Sequence, residues 1–362
     1  MIKERIAKLR SFMDKCYCFL LSSVPSIYYF TGFNTYEGDA LVLIPCEGKG
    51  IIVSDLRYKT QIKEEADPAL FDVLMTRPEF KESYLERLEA ENLFLGSRFR
   101  VEDRYFNMNQ YLEIQRLWPN IEILPCSLLM LNIRSVKDEG EISLIKKAIE
   151  ITEKALSETL SLIKVGTTEK DIAAEISYRQ RKLGASADAF SLIVLSGERS
   201  ALIHGEPGEK KIEAGDILQF DIGAVYKGYH SDLSRVVIVG GQPTSKQCEI
   251  HGFVRMIQEA MIEKIKPGVN FKELNLEHEK LLKGAGFEVW HGLGHGVGLE
   301  IHEWPNVAMQ DFIAKTGNVV TVEPGIYIPG WGGVRIEDMV LVTETGHEIL
   351  TSFSKELLVL GV

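Results

Sequence analysis

The sequence has few cysteines, and their spacing does not suggest a metal site or a disulfide framework. Five occur among 362 residues, an odd number scattered along the chain, at Cys16, Cys18, Cys46, Cys126 and Cys248. We therefore expect reduced thiols and a cytoplasmic location.

Long hydrophobic runs and an excess of positive charge are also missing. The first fifteen residues form a charged amphipathic stretch, and no later run approaches the roughly 20 apolar residues of a membrane span. The 41 Lys and Arg residues are outnumbered by 52 Asp and Glu residues, which gives a formal net charge of -11. Because a phosphate backbone is bound mainly through basic side chains, nucleic acid is not an expected partner, and neither is a membrane.

The composition and length instead indicate a globular protein of two domains. Hydrophobic residues make up 45% and charged residues 26%, and 362 residues suffice for two cores. Short apolar runs, predicted as strands, alternate with helical stretches such as residues 79–90; the runs are residues 16–21, 40–44, 50–53, 71–75, 93–96 and 121–124. This pattern predicts an α/β domain over residues 1–133.

The second predicted domain covers residues 134–362 and opens with a helix. Asp138 and Glu141 form a capping-box pattern, and apolar residues recur at helical spacing as far as Lys164. A weak internal repeat follows, with a shift of 102 positions that carries Lys164 onto Lys266 and Asp221 onto Glu323. The pattern of each copy predicts two helices followed by strands, so we expect a pseudo-twofold α/β domain.

Each copy also contains two acids on neighbouring strands. A two-residue turn at Lys227 and Gly228 would place Asp221 and Asp232 on one face of a hairpin. Glu323 and Glu337 are separated by an even spacing, so they share a face only if an odd-length loop joins their strands. The stretch 329–333, Pro-Gly-Trp-Gly-Gly, offers such a loop.

Four acids converging in a domain core favour metal binding. Charged and unpaired, each would cost several kcal/mol. Two divalent cations carry four positive charges, which balance Asp221, Asp232, Glu323 and Glu337, and a neutral histidine can complete the ligand set.

Histidines support a shared site. Four of the eight stand beside Gly, Pro or Glu in turn-like settings, namely His204, His291, His295 and His302. The alternating glycines around His295 allow the backbone to approach a metal or a ligand closely.

Other catalytic motifs do not match. Val297 stands where a dinucleotide fingerprint requires its third glycine, and no phosphate loop is present. His302 and Glu303 lack the second histidine of a zincin, and Ser196 to Ser200 is not a nucleophile elbow.

The motifs resemble those of the Xaa-Pro peptidases, prolidase and aminopeptidase P, which are relatives of methionine aminopeptidase. The resemblance extends from residues 27–33, in a creatinase-like N-terminal domain, to the C-terminal strands. It is carried by His204-Gly205-Glu206-Pro207, Asp221-Ile222-Gly223, Asp232, Gly294-His295-Gly296-Val297-Gly298, His302-Glu303, Val322-Glu323-Pro324-Gly325-Ile326-Tyr327 and Val334-Arg335-Ile336-Glu337-Asp338. It implies a C-terminal pita-bread domain and hydrolysis of the bond between an N-terminal residue and proline.

The resemblance also implies roles for individual residues. Asp221 would bind one metal, His295 and Glu323 the other, and Asp232 and Glu337 would bridge the two. Glu323 would also move a proton toward the leaving nitrogen, and the substrate-binding and supporting positions would be His204, His291, His302, Tyr327 and Arg335, with His204, His302 and Arg335 serving catalysis.

Several alternatives stay open at this point. Xaa-Pro dipeptidase and aminopeptidase P activity on longer peptides are not separated by any local motif, and a non-catalytic pita-bread binding protein is a remoter possibility. Methionine aminopeptidase usually lacks such an N-terminal domain and the arginine at position 335.

Oxygen-rich ligation with one histidine favours manganese, with cobalt, iron or zinc as alternatives. Family analogy further suggests a homodimer.

Overall fold

The computed structural model describes residues 1–13, 17–77, 79, 81–91, 97–308 and 311–361. Internal contacts divide the chain into two compact units, Met1–Ile133 and Arg134–Val362. Among the described residues, no helix is long and apolar enough to cross a membrane.

The first unit is built on one six-stranded sheet of mixed direction. The strands are β1 Tyr17–Leu21, β2 Ala40–Pro45, β3 Gly50–Ser54, β4 Phe71–Met75, β5 Arg98–Val101 and β6 Glu122–Pro125. Their order in the sheet is β4-β3-β2-β1-β5-β6, with β1–β2 and β2–β3 antiparallel and the other pairs parallel. The helices are α1 Ile2–Arg10, α2 Val24–Thr31, α3 Lys59–Glu65, α4 Tyr84–Glu89, α5 Met108–Leu117 and α6 Ser127–Ser135.

The predicted alternation of strands and helices is present in this unit, with two differences. The helix predicted from residue 79 begins only at Tyr84, because Ser83 and Glu86 form the capping box that starts it. The predicted strand at residues 93–96 and the predicted first position of β1, Cys16, lie outside the described residues. The fifth strand of the sheet is Arg98–Val101, which pairs with β1 and β6.

The second unit contains helices α7 Glu139–Leu160, α8 Glu169–Lys182, α9 Ser245–Ile262 and α10 Phe271–Gly284. Its strands are β7 Ala187–Asp188, β8 Ile193–Ser196, β9 Asp216–Ile222, β10 Ala224–Tyr226, β11 Tyr229–His230, β12 Leu233–Val239, β13 His295–Gly296, β14 Glu303–Asn306, β15 Val319–Val322, β16 Gly325–Ile328, β17 Gly332–Arg335, β18 Asp338–Val342, β19 His347–Ile349 and β20 Leu358–Leu360. They form sheets ordered β20-β12-β9-β8, β14-β13-β15-β18-β19, β11-β10-β7 and β16-β17.

Helix α7 starts where the sequence predicts and ends earlier. Asp138 accepts from the Glu141 backbone N–H while the Glu141 carboxylate accepts from the Asp138 N–H, which completes the capping box. The helix stops at Leu160 rather than Lys164, because the chain turns there toward Gly166, whose N–H donates to the Ile212 carbonyl.

The predicted repeat is visible in the backbone hydrogen bonds. Thr168 pairs with Lys211, and Asn270 pairs with Ile313, both displaced by the expected 102 positions. The bond from Gly166 N to Ile212 O recurs between Gly268 and Ala314. Helices α8 and α10 each have 14 residues and start 102 positions apart. The second unit is therefore two related halves, each a pair of helices followed by strands.

Both predicted hairpins have the expected register. Val225 pairs with His230 and Ile222 with Leu233, so one continuous register runs past the Lys227–Gly228 turn and puts Asp232 opposite Gly223. In the second hairpin Gly325 pairs with Arg335 and Val322 with Asp338. The joining loop has three residues, Pro329 to Trp331, which is the odd length required to bring Glu323 opposite Glu337.

Candidate metal centre

The four acids lie at or next to the ends of strands. Asp221 is the penultimate residue of β9, and Asp232 lies between β11 and β12. Glu323 follows β15, and Glu337 immediately precedes β18. Because the two hairpins keep their register across these strand ends, each presents a pair of carboxylates.

These acids open onto a cavity of about 510 Å³ within the second unit. Nine of the ten predicted site residues line it: His204, Asp221, Asp232, His291, His295, His302, Glu323, Arg335 and Glu337. Tyr327 joins the group through hydrogen bonds to Arg335 and His291. Apolar side chains complete the wall at Phe190, Ile193, Ile203 and Ile301.

The side chains fit a divalent metal site. One ligand atom each of Asp232, His295 and Glu337 lie within 4.8 Å of one another. His295 Nε2 is 3.5 Å from Asp232 Oδ2 and 3.4 Å from Glu323 Oε1. In the part of the chain that the structure describes, the buried Oδ1 atoms of Asp221 and Asp232 have no hydrogen-bond partner. Buried, unpartnered carboxylate oxygens beside an imidazole nitrogen are what a cation would satisfy.

Charge crowding shows in the pKa values of the acids. Burial raises the pKa of Asp232 and Glu337 well above the usual range, and neighbouring carboxylates raise both further. Burial also raises the pKa of Glu323 to about 8. Without a cation the cluster therefore favours bound protons, which a metal would displace.

His295 is held in a form suited to metal binding. Burial lowers its pKa to about 3, with a further contribution from His302, so the ring is neutral. Its Nδ1 lies 3.2 Å from the Gly296 carbonyl, which can only accept, so this nitrogen carries the proton. The Nε2 lone pair then faces the acids and is free to bind a cation.

The glycines around His295 permit close backbone packing. A Cβ on Gly294 would lie 2.1 Å from the Thr321 carbonyl oxygen, and one on Gly296 would lie 2.5 Å from the Trp304 carbonyl carbon. Both positions therefore require glycine if the His295 strand is to lie against β14 and β15.

Arg335 lines the cavity and connects several site residues. Its guanidinium pairs with Asp221 Oδ2, donates to the Tyr327 hydroxyl at 2.6 Å and donates to Ser234 Oγ at 3.0 Å. Tyr327 in turn donates to His291 Nε2 at 2.9 Å, because His291 Nδ1 is committed to the Gly292 carbonyl at 2.8 Å. Burial, followed by the Arg335 charge, lowers the pKa of His291 to about 4.

Two histidines lie nearer the open part of the cavity. His204 is exposed, on the loop after Ile203. The ring of His302 packs against that of His295 with centroids 4.2 Å apart, and burial lowers its pKa.

Three supporting residues were not predicted from the sequence. Ser234 donates to Glu337 Oε2 at 2.9 Å, Thr321 donates to Glu323 Oε1 at 3.3 Å, and Gln219 accepts from the Arg335 backbone N–H at 3.0 Å. Each stands two residues from one of the four acids. Strand alternation puts such residues on the same face, so this spacing was an available signal.

Comparison with known families agrees with this geometry. A model described as metallopeptidase family M24 matches residues 143–344, and one described as the creatinase/prolidase N-terminal domain matches residues 5–136. The chain belongs to metallopeptidase family M24 and is a hydrolase. The predicted family, the predicted α/β fold class and the predicted order of a creatinase-like domain before a pita-bread domain are confirmed.

Individual relatives are similar over their full length. The Xaa-Pro dipeptidase of Pyrococcus furiosus is 35% identical over 364 residues, which cover 99% of this chain and 100% of the relative. A solved Xaa-Pro dipeptidase from Bacillus anthracis has a TM-score of 0.91 and 34% identity, covering 99% of this chain and 100% of its own. A solved X-Pro aminopeptidase from Thermotoga maritima has a TM-score of 0.89 and 35% identity, covering 99% of both chains.

Proposed function

We propose that this chain is a Xaa-Pro dipeptidase whose substrates are small peptides with proline at the second position. The observation that carries the proposal is the convergence of four carboxylates and His295 on one cavity, with unpartnered buried oxygens on Asp221 and Asp232. The full-length similarity to Xaa-Pro dipeptidases supports the substrate class.

The proposed ligands are those implied by the family resemblance. Asp221 would bind one ion, His295 and Glu323 the other, and Asp232 and Glu337 both. A bound pair of divalent ions supplies a water nucleophile near neutral pH and polarises the scissile carbonyl. Manganese is the proposed ion because the ligand set is oxygen-rich with one imidazole. The same ligands also bind cobalt, iron or zinc, which are the alternative ions.

The protein's own groups would complete the chemistry. Glu323, whose pKa is raised in the absence of metal, would take a proton from the nucleophilic water and pass it to the departing proline nitrogen. The departing nitrogen must gain this proton to leave as an amine, and, as a tertiary amide nitrogen, it offers the site no N–H donor before cleavage. His204 and His302 line the cavity beside the acids and would donate hydrogen bonds to the substrate or to the tetrahedral oxyanion.

Three peptides test the activity and the substrate class. Manganese-loaded protein is incubated with Ala-Pro, Ala-Pro-Ala and Ala-Ala-Ala while free alanine is followed. We expect hydrolysis of Ala-Pro and little of Ala-Ala-Ala. Preferential cleavage of Ala-Ala-Ala would refute proline specificity.

Aminopeptidase P activity on longer peptides is the second candidate. The X-Pro aminopeptidase of Thermotoga maritima is as similar to this chain as the dipeptidases are, and this similarity supports aminopeptidase P activity as the alternative. Faster cleavage of Ala-Pro-Ala than of Ala-Pro would replace the dipeptidase assignment. The non-catalytic alternative is not retained, because the chain belongs to a metallopeptidase family and all five proposed ligands are present.

We further propose a cytoplasmic homodimer. The cysteine usage supports the location, and family analogy alone supports the dimer. Light scattering at micromolar concentration should give twice the chain mass of 40.7 kDa, and a monomer throughout would remove the proposal.

A further inference from the structure

A cluster of four charged side chains, three of them buried, lies near the cavity without lining it. Glu303 is 5% exposed, and it pairs with Lys137 Nζ at 2.8 Å and with the Arg134 guanidinium. Arg134 also pairs with Glu300 at 2.6 Å. Two acids and two bases make the cluster neutral. Although burial alone would raise the pKa of Glu303, Lys137 and Arg134 hold it down to about 2.

Stability alone is a poor explanation for such a cluster. Removing two charges from water costs about as much as their attraction returns, so an apolar replacement of similar volume is often equally stable. A buried ion group is better explained by the geometry it imposes, and the elements around it indicate which geometry that is.

The cluster holds the segment that carries His302. Glu303 directly follows His302 and is paired with Gly296, the neighbour of His295. Residues 297–302 form no helix or strand, so regular backbone pairing does not fix the path of this segment. The Glu303 carboxylate fills the space beside Gly298, where a Cβ would lie only 2.4 Å from its Oε1.

The other side of the segment is tied to the hairpin of Asp232. The His230 backbone N–H donates to the Gly298 carbonyl at 2.9 Å, and His230 Nδ1 lies 3.2 Å from the same oxygen. The segment is thus held between the Asp232 hairpin and the ion cluster. Its last residue, His302, packs on His295 at 4.2 Å between ring centroids.

We propose that Glu303, oriented by Lys137 and Arg134, is a positioning residue that sets the place of the His302 imidazole over His295. The proposal rests on the proposed function, in which His302 donates a hydrogen bond to the substrate or the oxyanion. Glu303 itself is not among the residues that line the cavity, and its carboxylate pairs with Lys137 and Arg134. Its loss should therefore act through His302 alone.

The first test is structural and needs no activity. Crystal structures of the manganese-bound wild type and of Glu303→Gln are compared, with Lys137→Met as a second variant should the first fail to fold. We expect the His302 ring to leave its packing on His295 in the variant while the ligand side chains stay in place. An unmoved His302 ring would overturn the proposal.

The second test is a double-mutant cycle on Ala-Pro hydrolysis. Glu303→Gln should lower kcat about 10- to 100-fold with bound metal unchanged, and should cost no further activity when added to His302→Ala. Additive losses would contradict action through His302.

Glu102→Gln is the matched control, because Glu102 is an equally buried carboxylate in the first unit that accepts from Ser22, Ser23 and Ser26. It should change stability and leave kcat unaltered. A wild type inactive on Ala-Pro would refute the proposed function, and the crystal comparison would still decide the positioning role.

Discussion

At the scale of single residues, three of the four acids have the same kind of support from a neighbouring side chain. One carboxylate oxygen is held by a neutral or cationic donor: Asp221 by Arg335, Glu337 by Ser234, and Glu323 by Thr321. Such donors fix the orientation of a carboxylate before a cation arrives.

The proposed bridging ligands give the first prediction. Asp232→Ala and Glu337→Ala should each abolish activity and lower the bound metal by at least one ion per chain, because each side chain would contact both ions. Elemental analysis of purified protein measures this. Full metal content with near-normal turnover in either variant would show that the bridging roles are wrong.

Asp138→Ala is the contrasting variant. It removes the side chain that caps α7, so it should lower the free energy of unfolding by about 1 kcal/mol and leave metal content and kcat unchanged. Denaturant titration measures the first quantity.

Ser234 gives a prediction about orientation rather than ligation. Its hydroxyl accepts from Arg335 and donates to Glu337, so Ser234→Ala should weaken metal affinity about 10- to 100-fold while all five ligands remain. Calorimetric titration with manganese measures the affinity. The control is Ser161→Ala, whose exposed hydroxyl donates to the Glu158 carbonyl. Equal affinities in both variants would contradict the role of Ser234.

At the scale of elements, the two hairpins determine which acids meet. The second requires a loop of odd length, and its three residues include Gly330 with a φ of 75°. A slip of one residue would move Glu323 and Glu337 to opposite faces of the hairpin.

Deleting Gly330 should therefore disrupt the site. The shortened loop forces a register shift or a bulge, and we expect loss of bound metal and of activity with most secondary structure retained by circular dichroism. Gly330→Asn keeps the loop length, tolerates the left-handed backbone and places its Cβ in open space, so it should keep both. Normal metal content in the deletion variant would refute the register argument.

The elements also show how far the sequence could predict this molecule. The repeat, both hairpin registers and the α7 cap were predictable, because each rests on local pattern or on chain arithmetic. The start of α4 was predictable in the same way, since Ser83 and Glu86 form a capping box like that of α7. The end of α7 was not, because a long-range hydrogen bond from Gly166 to Ile212 accompanies the turn there. The ion cluster of Arg134, Lys137 and Glu303 joins positions more than 160 residues apart, which no local pattern reveals.

At the scale of the whole molecule, the acid cluster couples metal binding to stability. The pKa of Glu323 is about 8 in the folded metal-free protein, against an ordinary value near 4.5. The folded state thus holds a proton that the unfolded state has already released, so stability falls as pH rises through the folded pKa.

The melting temperature of metal-free protein should therefore fall between pH 7 and pH 9. The histidines whose pKa is lowered titrate below this window and do not mask the effect. Saturating manganese should reverse the fall, because the cation replaces the proton. Differential scanning fluorimetry measures this, with Glu323→Gln as the variant that should show a smaller slope. A melting temperature that rises across the window would contradict the coupling.

The most direct test of the metal centre is anomalous diffraction from crystals of the manganese-loaded protein. We expect two anomalous peaks per chain within the cavity, one in contact with Asp221, the other with His295 and Glu323, and both in contact with Asp232 and Glu337. A single peak, peaks elsewhere, or none at saturating manganese would contradict it.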